Sequence, residues 1–393
     1  MRNVPDSPIR PDDYLNIDAM LSDEERAIRD TVRNFVEKNV TPNVAEWFEH
    51  GTVPRELMSE LGALGVLGMH LEGFGCAGTS ATAYGLACME LEAGDSGIRS
   101  LVSVQGSLAM FAIHKWGSDE QKNEWLPAMA AGQAIGCFGL TEPDSGSDPG
   151  SMRTRAKRDG EDWVLNGTKM WITNGSLADV AVVWATTDEG IRGFLVPKGT
   201  TGFTTRDIKH KMSLRASTTS ELILDNVRLP ATAILPLADS LRGPLSCLSE
   251  ARYGIIWGAA GAARACLQSA LGYALNRVQF GRPIAAFQIQ QQKLAAMALE
   301  VNRAGLLALH LGRLKDRGLL RPEHVSMGKL SNVNAALDVA RSARQILGAS
   351  GITLEYPVIR HMNNLESVVT YEGTADVHAL VVGQALTGIA AFR

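Results

Sequence analysis

The sequence predicts a mainly helical protein interrupted by a central β-domain. Capping signals and helical apolar spacing dominate up to about Gly132. Short β-branched or aromatic runs broken by turn dipeptides fill residues 163–229, and a long alanine-rich apolar stripe follows Pro244. Helices, then strands, then helices place two helical bundles around a β-domain. The expected division is an N-terminal helical domain over 1–134, a middle β-barrel or sandwich over 135–240, and a C-terminal helical bundle over 241–393.

In the first region, Ser22-Asp23-Glu24-Glu25 has the form of a capping box with Leu21 as its staple, and Ile28, Val32, Phe35 and Val36 follow at helical spacing. Pro54 opens a second helix carrying Leu57, Leu61 and Leu64 on one side. Ser118-Asp119-Glu120-Gln121 repeats the capping signal. In the middle region, Asn166-Gly167 and Asn174-Gly175 read as turns, and 180–184, 194–196 and 221–224 read as strands. Pro230 and Pro236 mark a linker. Beyond it, Leu294, Met297, Val301, Ala304, Ala308 and Leu311 recur three or four apart on one long helix.

Composition narrows the function. A chain of 393 residues that is 45% hydrophobic supports two or three packed modules. A formal net charge of -4 leaves no basic footprint for nucleic acid. No apolar stretch is expected to approach the roughly 20 residues of a membrane span. The start, residues 1–13, has no signal-peptide core and is too acidic for a transit peptide. Five scattered cysteines without a C-x-x-C pair read as reduced thiols. The expected location is the bacterial cytoplasm, or the mitochondrial matrix if the source is eukaryotic. The P-loop, H-E-x-x-H, G-x-S-x-G and Rossmann glycine patterns are all missing, and the histidines are dispersed. Metal chemistry is therefore not expected, and any cofactor must bind in a non-Rossmann manner.

Two runs carry chemistry. Glu372, in Val369-Thr370-Tyr371-Glu372-Gly373-Thr374, follows a long helical region and precedes a last apolar helix. A carboxylate in such a joint is dry enough to act as a base. Leu140-Thr141-Glu142-Pro143-Asp144-Ser145-Gly146-Ser147-Asp148 is a polar loop rich in hydroxyls and free amides. Together they point to proton removal beside a carbonyl.

Six segments in order then resemble the acyl-CoA dehydrogenase family, and within it the glutaryl-CoA dehydrogenases. They are Gly136-Cys137-Phe138-Gly139-Leu140-Thr141-Glu142-Pro143, Trp171-Ile172-Thr173-Asn174, Ala251-Arg252-Tyr253-Gly254, Arg277-Val278-Gln279-Phe280-Gly281, Gln345-Ile346-Leu347-Gly348 and Tyr371-Glu372-Gly373-Thr374. The resemblance covers almost the whole chain from about residue 15. It implies a C-terminal four-helix bundle, a homotetramer and FAD lying between the β-domain and that bundle. Trp171 and Thr173, with Ile172, would flank the isoalloxazine. Phe138, Leu140, Thr141 and Ser147 would meet its polar edge, and Thr374 would also touch the cofactor. Arg277, Gln279, Phe280, Gln345 and Gly348 would reach the adenine-diphosphate half from a neighbouring subunit. Arg277 offers permanently charged, fork-shaped donors suited to pyrophosphate. Ala349 stands where many relatives have a second glycine.

The same resemblance makes Glu372 the base, with its backbone N–H polarising the thioester carbonyl. Some relatives carry the base at the position of Ala251, which cannot take protons; neighbouring Glu250 points about 100° away on a helix and reads as structural. Arg252, Tyr371 and Ser147 would contact the acyl-CoA. Arg99, Ser100 and Ser103 supply the cation and hydroxyls that a distal carboxylate needs, with Glu92 tuning them. The expected substrate is glutaryl-CoA, decarboxylated to crotonyl-CoA and CO2, with electrons passed to an electron-transferring flavoprotein. A non-decarboxylating glutaryl-CoA enzyme, a short- or branched-chain acyl-CoA dehydrogenase, an oxidase and a non-catalytic assembly protein of the same fold remain alternatives.

Overall fold

A computed structural model describes residues 10–391, so most of the segment read for targeting signals lies outside the described residues. Helix α1 (Asp23–Phe35) starts on Ser22, whose hydroxyl accepts from Glu25 N while the Glu25 carboxylate accepts from Ser22 N. It runs on through a π-turn at Val36–Val40. Then come α2 (Val44–His50), α3 (Glu56–Ala63) and the almost wholly buried α4 (Ala81–Gly94). Helix α5 (Ser96–Ser103) continues through a buried π-segment, Val104–Met110, into α6 (Phe111–Trp116). The second capping box, Ser118 with Gln121, opens α7 (Asp119–Ala130).

The middle of the chain is one curled, continuously hydrogen-bonded seven-stranded sheet. Its strands are β1 (Gly136–Gly139), β2 (Arg155–Asp159), β3 (Asp162–Thr173), β4 (Val180–Thr187), β5 (Gly190–Pro197), β6 (Phe203–Asp207) and β7 (Thr219–Leu229). The order is β1-β4-β2-β3-β7-β6, with β5 also on β4. One sequence expectation is corrected here. Asn166-Gly167 makes no turn; β3 runs through it, with a register shift against β7 between Leu165 and Gly167. Gly167 sits at φ 150°, and a β-carbon there would collide with Thr154. The Asn166 side chain instead accepts from Asn226 N across the ladder, at 2.8 Å. The dipeptide is a bulge. Asn174-Gly175 does turn the chain, with Asn174 at φ 65°.

The C-terminal region packs α8 (Arg242–Asn276), α9 (Gln288–Asp316), α10 (Pro322–Leu347), α11 (Val358–Val368) and α12 (Ala375–Thr387). A small hairpin, β8 (Val278–Gln279) with β9 (Arg282–Pro283), follows α8. In the α9 stripe, Met297, Val301, Ala304, Ala308 and Leu311 are buried. This helix is long and apolar enough to match a membrane span by length and composition. The expectation that no stretch comes near that threshold is therefore corrected, although the stripe itself packs into the bundle. Helix α8 is the hub: it packs on α4 and on α10, joining the N-terminal helices to the bundle.

Candidate active site

Glu372 lies in the turn between α11 and α12, at φ 52°, a left-handed conformation uncommon for a residue with a β-carbon. The turn is held from beneath by two cations. Arg252 Nε of α8 donates to Glu372 O at 2.6 Å. Lys329 Nζ of α10 donates to Tyr371 O at 2.6 Å and to Gly373 O at 2.7 Å. The carboxylate itself is uncommitted: Oε2 is buried with no hydrogen-bond partner. Burial raises the Glu372 carboxyl above its ordinary range, reinforced by Glu92 and opposed by Arg99, Lys329 and Arg252. A desolvated, unpartnered carboxylate is what a general base requires.

Arg99 reaches this turn from α5 and is fully buried, as is Glu92 of α4. Its Nε donates to Glu92 Oε2 at 2.6 Å, and its Nη2 donates to the Tyr371 hydroxyl. Its Nη1, Glu92 Oε1 and Ser103 Oγ are all buried without partners. A buried guanidinium with a spare donor, one helical turn from a spare hydroxyl on α5, has the makings of an anion site, because such groups are costly unless paired. Ser100 is buried on the same helix. Helix α8 closes the far wall at Gly258, where a methyl group would overlap the Glu92 carboxylate. Neither Gly258 nor Lys329 carries a motif that marks it in the sequence.

The polar loop leaves the edge strand β1. Phe138 and Leu140 are buried there, and Thr141 O accepts from Met170 N at 2.8 Å. Lys169 Nζ donates to Leu140 O at 3.0 Å and to Glu142 Oε1 at 2.7 Å. Glu142 also accepts from Arg153 N and Thr154 N. This buried pair fixes the loop from inside the sheet. A second irregularity in β3, between Lys169 and Ile172, swings Trp171 to φ 63°. Trp171 is 56% exposed, so it is no β-domain core residue. Ile172 points into the sheet core, leaving only its backbone to face outward, and Thr173 is half-buried. Ser147 is exposed, and the Thr374 hydroxyl caps α12 by accepting from Val377 N. An exposed indole beside an edge strand with unpaired amides fits one face and the polar edge of a flavin.

Not every expected residue joins this cluster. Arg277, Gln279 and Phe280 lie on the exposed hairpin after α8, and Gln345 and Gly348 on the exposed end of α10. Phe280 is 93% exposed, and with Gln279, Arg282 and Phe287 it lines an open groove of about 690 Å³. Glu250 turns away from the Glu372 cleft to pair with Lys315 at 2.8 Å.

Comparison with known proteins agrees with this geometry. The N-terminal, middle and C-terminal domain models of acyl-CoA dehydrogenase match residues 22–133, 137–227 and 242–387. The mitochondrial short-chain specific acyl-CoA dehydrogenase of Homo sapiens is 37% identical over 92% of this chain and 90% of its own length. The chain belongs to the acyl-CoA dehydrogenase family. This acyl-CoA dehydrogenase is accordingly an FAD-dependent oxidoreductase. A crystal structure of glutaryl-CoA dehydrogenase from Mycobacterium smegmatis is 68% identical, with a TM-score of 0.97 over 98% of this chain and 100% of that one. Another glutaryl-CoA dehydrogenase from the same organism, in complex with FADH2, is 63% identical with a TM-score of 0.97, again over 98% of this chain and 100% of that one.

Proposed function

We propose that this acyl-CoA dehydrogenase oxidises glutaryl-CoA and decarboxylates the product to crotonyl-CoA. The observation that carries the reading is the fully buried Arg99, with Nη1 unpartnered and the unpartnered Ser103 Oγ one helical turn along α5, against the same turn as the uncommitted Glu372 carboxylate. A straight alkyl chain leaves both polar groups unsatisfied, whereas a distal carboxylate accepts from both.

FAD supplies the two-electron acceptor for the β-hydride. The rest falls to the chain. Glu372 removes the α-proton, and its backbone N–H, which has no internal partner among the described residues, donates to the thioester carbonyl as charge develops there. Arg99 fixes the far end, so the acyl chain is stretched between two anchors and its α-hydrogen is held against the base. After dehydrogenation the distal carboxyl is vinylogous to the thioester, so CO2 leaves with its bonding electrons passing into the conjugated system. Protonated Glu372 then returns a proton to carbon. Electrons leave to an electron-transferring flavoprotein. We further infer a homotetramer in which the hairpin around Phe280 meets a neighbour's cofactor site. The exposure of Phe280 together with Leu386 and Ile389 (78% and 73% exposed) supports it.

The short-chain relatives favour a second reading, oxidation of butyryl-CoA. Anaerobic titration of the yellow protein with both thioesters, followed by product analysis, separates the two. Glutaryl-CoA should bleach the flavin at far lower concentration and yield crotonyl-CoA with CO2. Equal bleaching by butyryl-CoA would overturn the assignment, and glutaconyl-CoA without CO2 would leave a non-decarboxylating enzyme. Glu372→Gln should keep its FAD but lose bleaching by either substrate.

A further inference from the structure

Three consecutive carbonyls, those of Tyr371, Glu372 and Gly373, all accept from cations on two different helices, the half-buried Arg252 of α8 and the buried Lys329 of α10. Carbonyls drawn to one side of a turn push the intervening amides to the other. That arrangement accounts for the left-handed backbone at Glu372 and for the free N–H beside its carboxylate. Two of the three bonds come from one atom, Lys329 Nζ, on a side chain that is essentially fully buried. A lysine buried in a helical bundle is expensive. Both of its hydrogen-bonded acceptors flank the base, and no acidic side chain pairs with it directly among the described residues.

We propose that Lys329 is a positioning residue for the dehydrogenation, holding the Tyr371–Gly373 turn so that the Glu372 carboxylate and its own N–H face the substrate together. The inference rests on Glu372 being the base. Its second consequence is electrostatic. The charged groups facing Glu372 are Arg99 from α5, Arg252 from α8, Lys329 from α10 and Glu92 from α4, with the Tyr371 hydroxyl and His378 of α12 close by. The three cations favour the ionised carboxylate, so deleting one of them raises its proton affinity further.

The test compares Lys329→Met with the parent protein and with Glu372→Gln. Exchange of the substrate α-hydrogen into D2O, read by mass spectrometry, reports on the base and the oxyanion donor without hydride transfer. Lys329→Met should retain FAD and bind a non-oxidisable acyl-CoA analogue within about threefold, yet lose about 100-fold in exchange at saturation. The acid limb of its pH profile should move to higher pH. A purely structural role lowers FAD content and melting temperature in step with activity and leaves the limb in place. Should Lys329→Met fail to fold, Lys329→Gln carries the test, since its amide keeps a polar group beneath the turn while the charge is gone; the limb should move the same way. An unchanged limb and exchange rate in a folded variant would overturn the proposal. Full exchange in Glu372→Gln would instead remove the base beneath it, so the two failures are distinguishable.

Discussion

Arg99→Met separates stability from selectivity at one side chain. The guanidinium and the Glu92 carboxylate are both fully buried, 2.6 Å apart. Removing the arginine strands a carboxylate in a dry cavity, which typically costs about 3–5 kcal/mol of stability. On the proposed reading it also removes the anchor for the distal carboxylate of glutaryl-CoA, a loss of about 2–5 kcal/mol in binding that thioester. At tenfold per 1.4 kcal/mol, the second term lowers kcat/KM for glutaryl-CoA by about 30-fold to several thousandfold. Butyryl-CoA, which has no distal carboxylate, should lose less than about tenfold. The double variant Arg99→Met with Glu92→Gln removes both charges, so it should recover most of the melting temperature and none of the selectivity. The assays are thermal unfolding of the FAD-loaded protein and steady-state kinetics with both thioesters. If the two substrates fall by the same factor in the double variant, Arg99 does not read the acyl terminus.

Two further outcomes follow from buried ion pairs elsewhere. Lys169→Met strands Glu142 and frees the Leu140 carbonyl, so FAD retention after gel filtration and the apoprotein melting temperature should both fall; retention equal to the parent's would separate the loop from flavin binding. Burial alone would raise the Glu90 carboxyl, but Arg264 and Arg33 outweigh it and hold it down at about 2 from an ordinary 4.5. A carboxyl depressed on folding stabilises the native state above its unfolded value. That stability, on the order of 3 kcal/mol, is lost as pH falls from 4.5 through about 2. Glu90→Gln should flatten urea-measured stability over this window, and an unaltered slope would show that other carboxyls govern acid unfolding.

The fold was legible where the signal is local. Ser22 and Ser118 sit three residues before an acceptor side chain, and both close capping boxes because that geometry involves four consecutive residues and nothing else. Asn166-Gly167 failed for the converse reason: Gly167 is needed to clear Thr154, the residue just before β2, a contact that no local window contains. The candidate site divides the same way. Glu372, Arg99 and Trp171 stood out through motif context, but composition alone would have buried Trp171, and only the bulge in β3 turns it outward. Lys329 and Gly258 were silent. A lysine between a glycine and a leucine reads as solvent-facing, and a glycine in an alanine-rich helix reads as packing, until the third dimension sets one against the Glu372 turn and the other against a buried ion pair.

The cluster around Glu372 resolves an apparent contradiction in its charges. Three cations surround one carboxylate, an arrangement that ordinarily makes a strong acid and a poor base. Yet the hydrogen bonds each cation makes go elsewhere: Arg252 to the carbonyl of Glu372, Lys329 to the carbonyls either side, Arg99 to Glu92 and the Tyr371 hydroxyl. None donates to the carboxylate. Their attraction is thus felt only through space, where burial outweighs it and the carboxyl stays raised. The cations have backbone to hold rather than a proton to repel, which lets one turn be both rigid and basic. In this cleft a hydrogen bond to the wrong oxygen would do more damage than the loss of a charge, because a direct donor fixes the ionised form that the reaction must be able to leave.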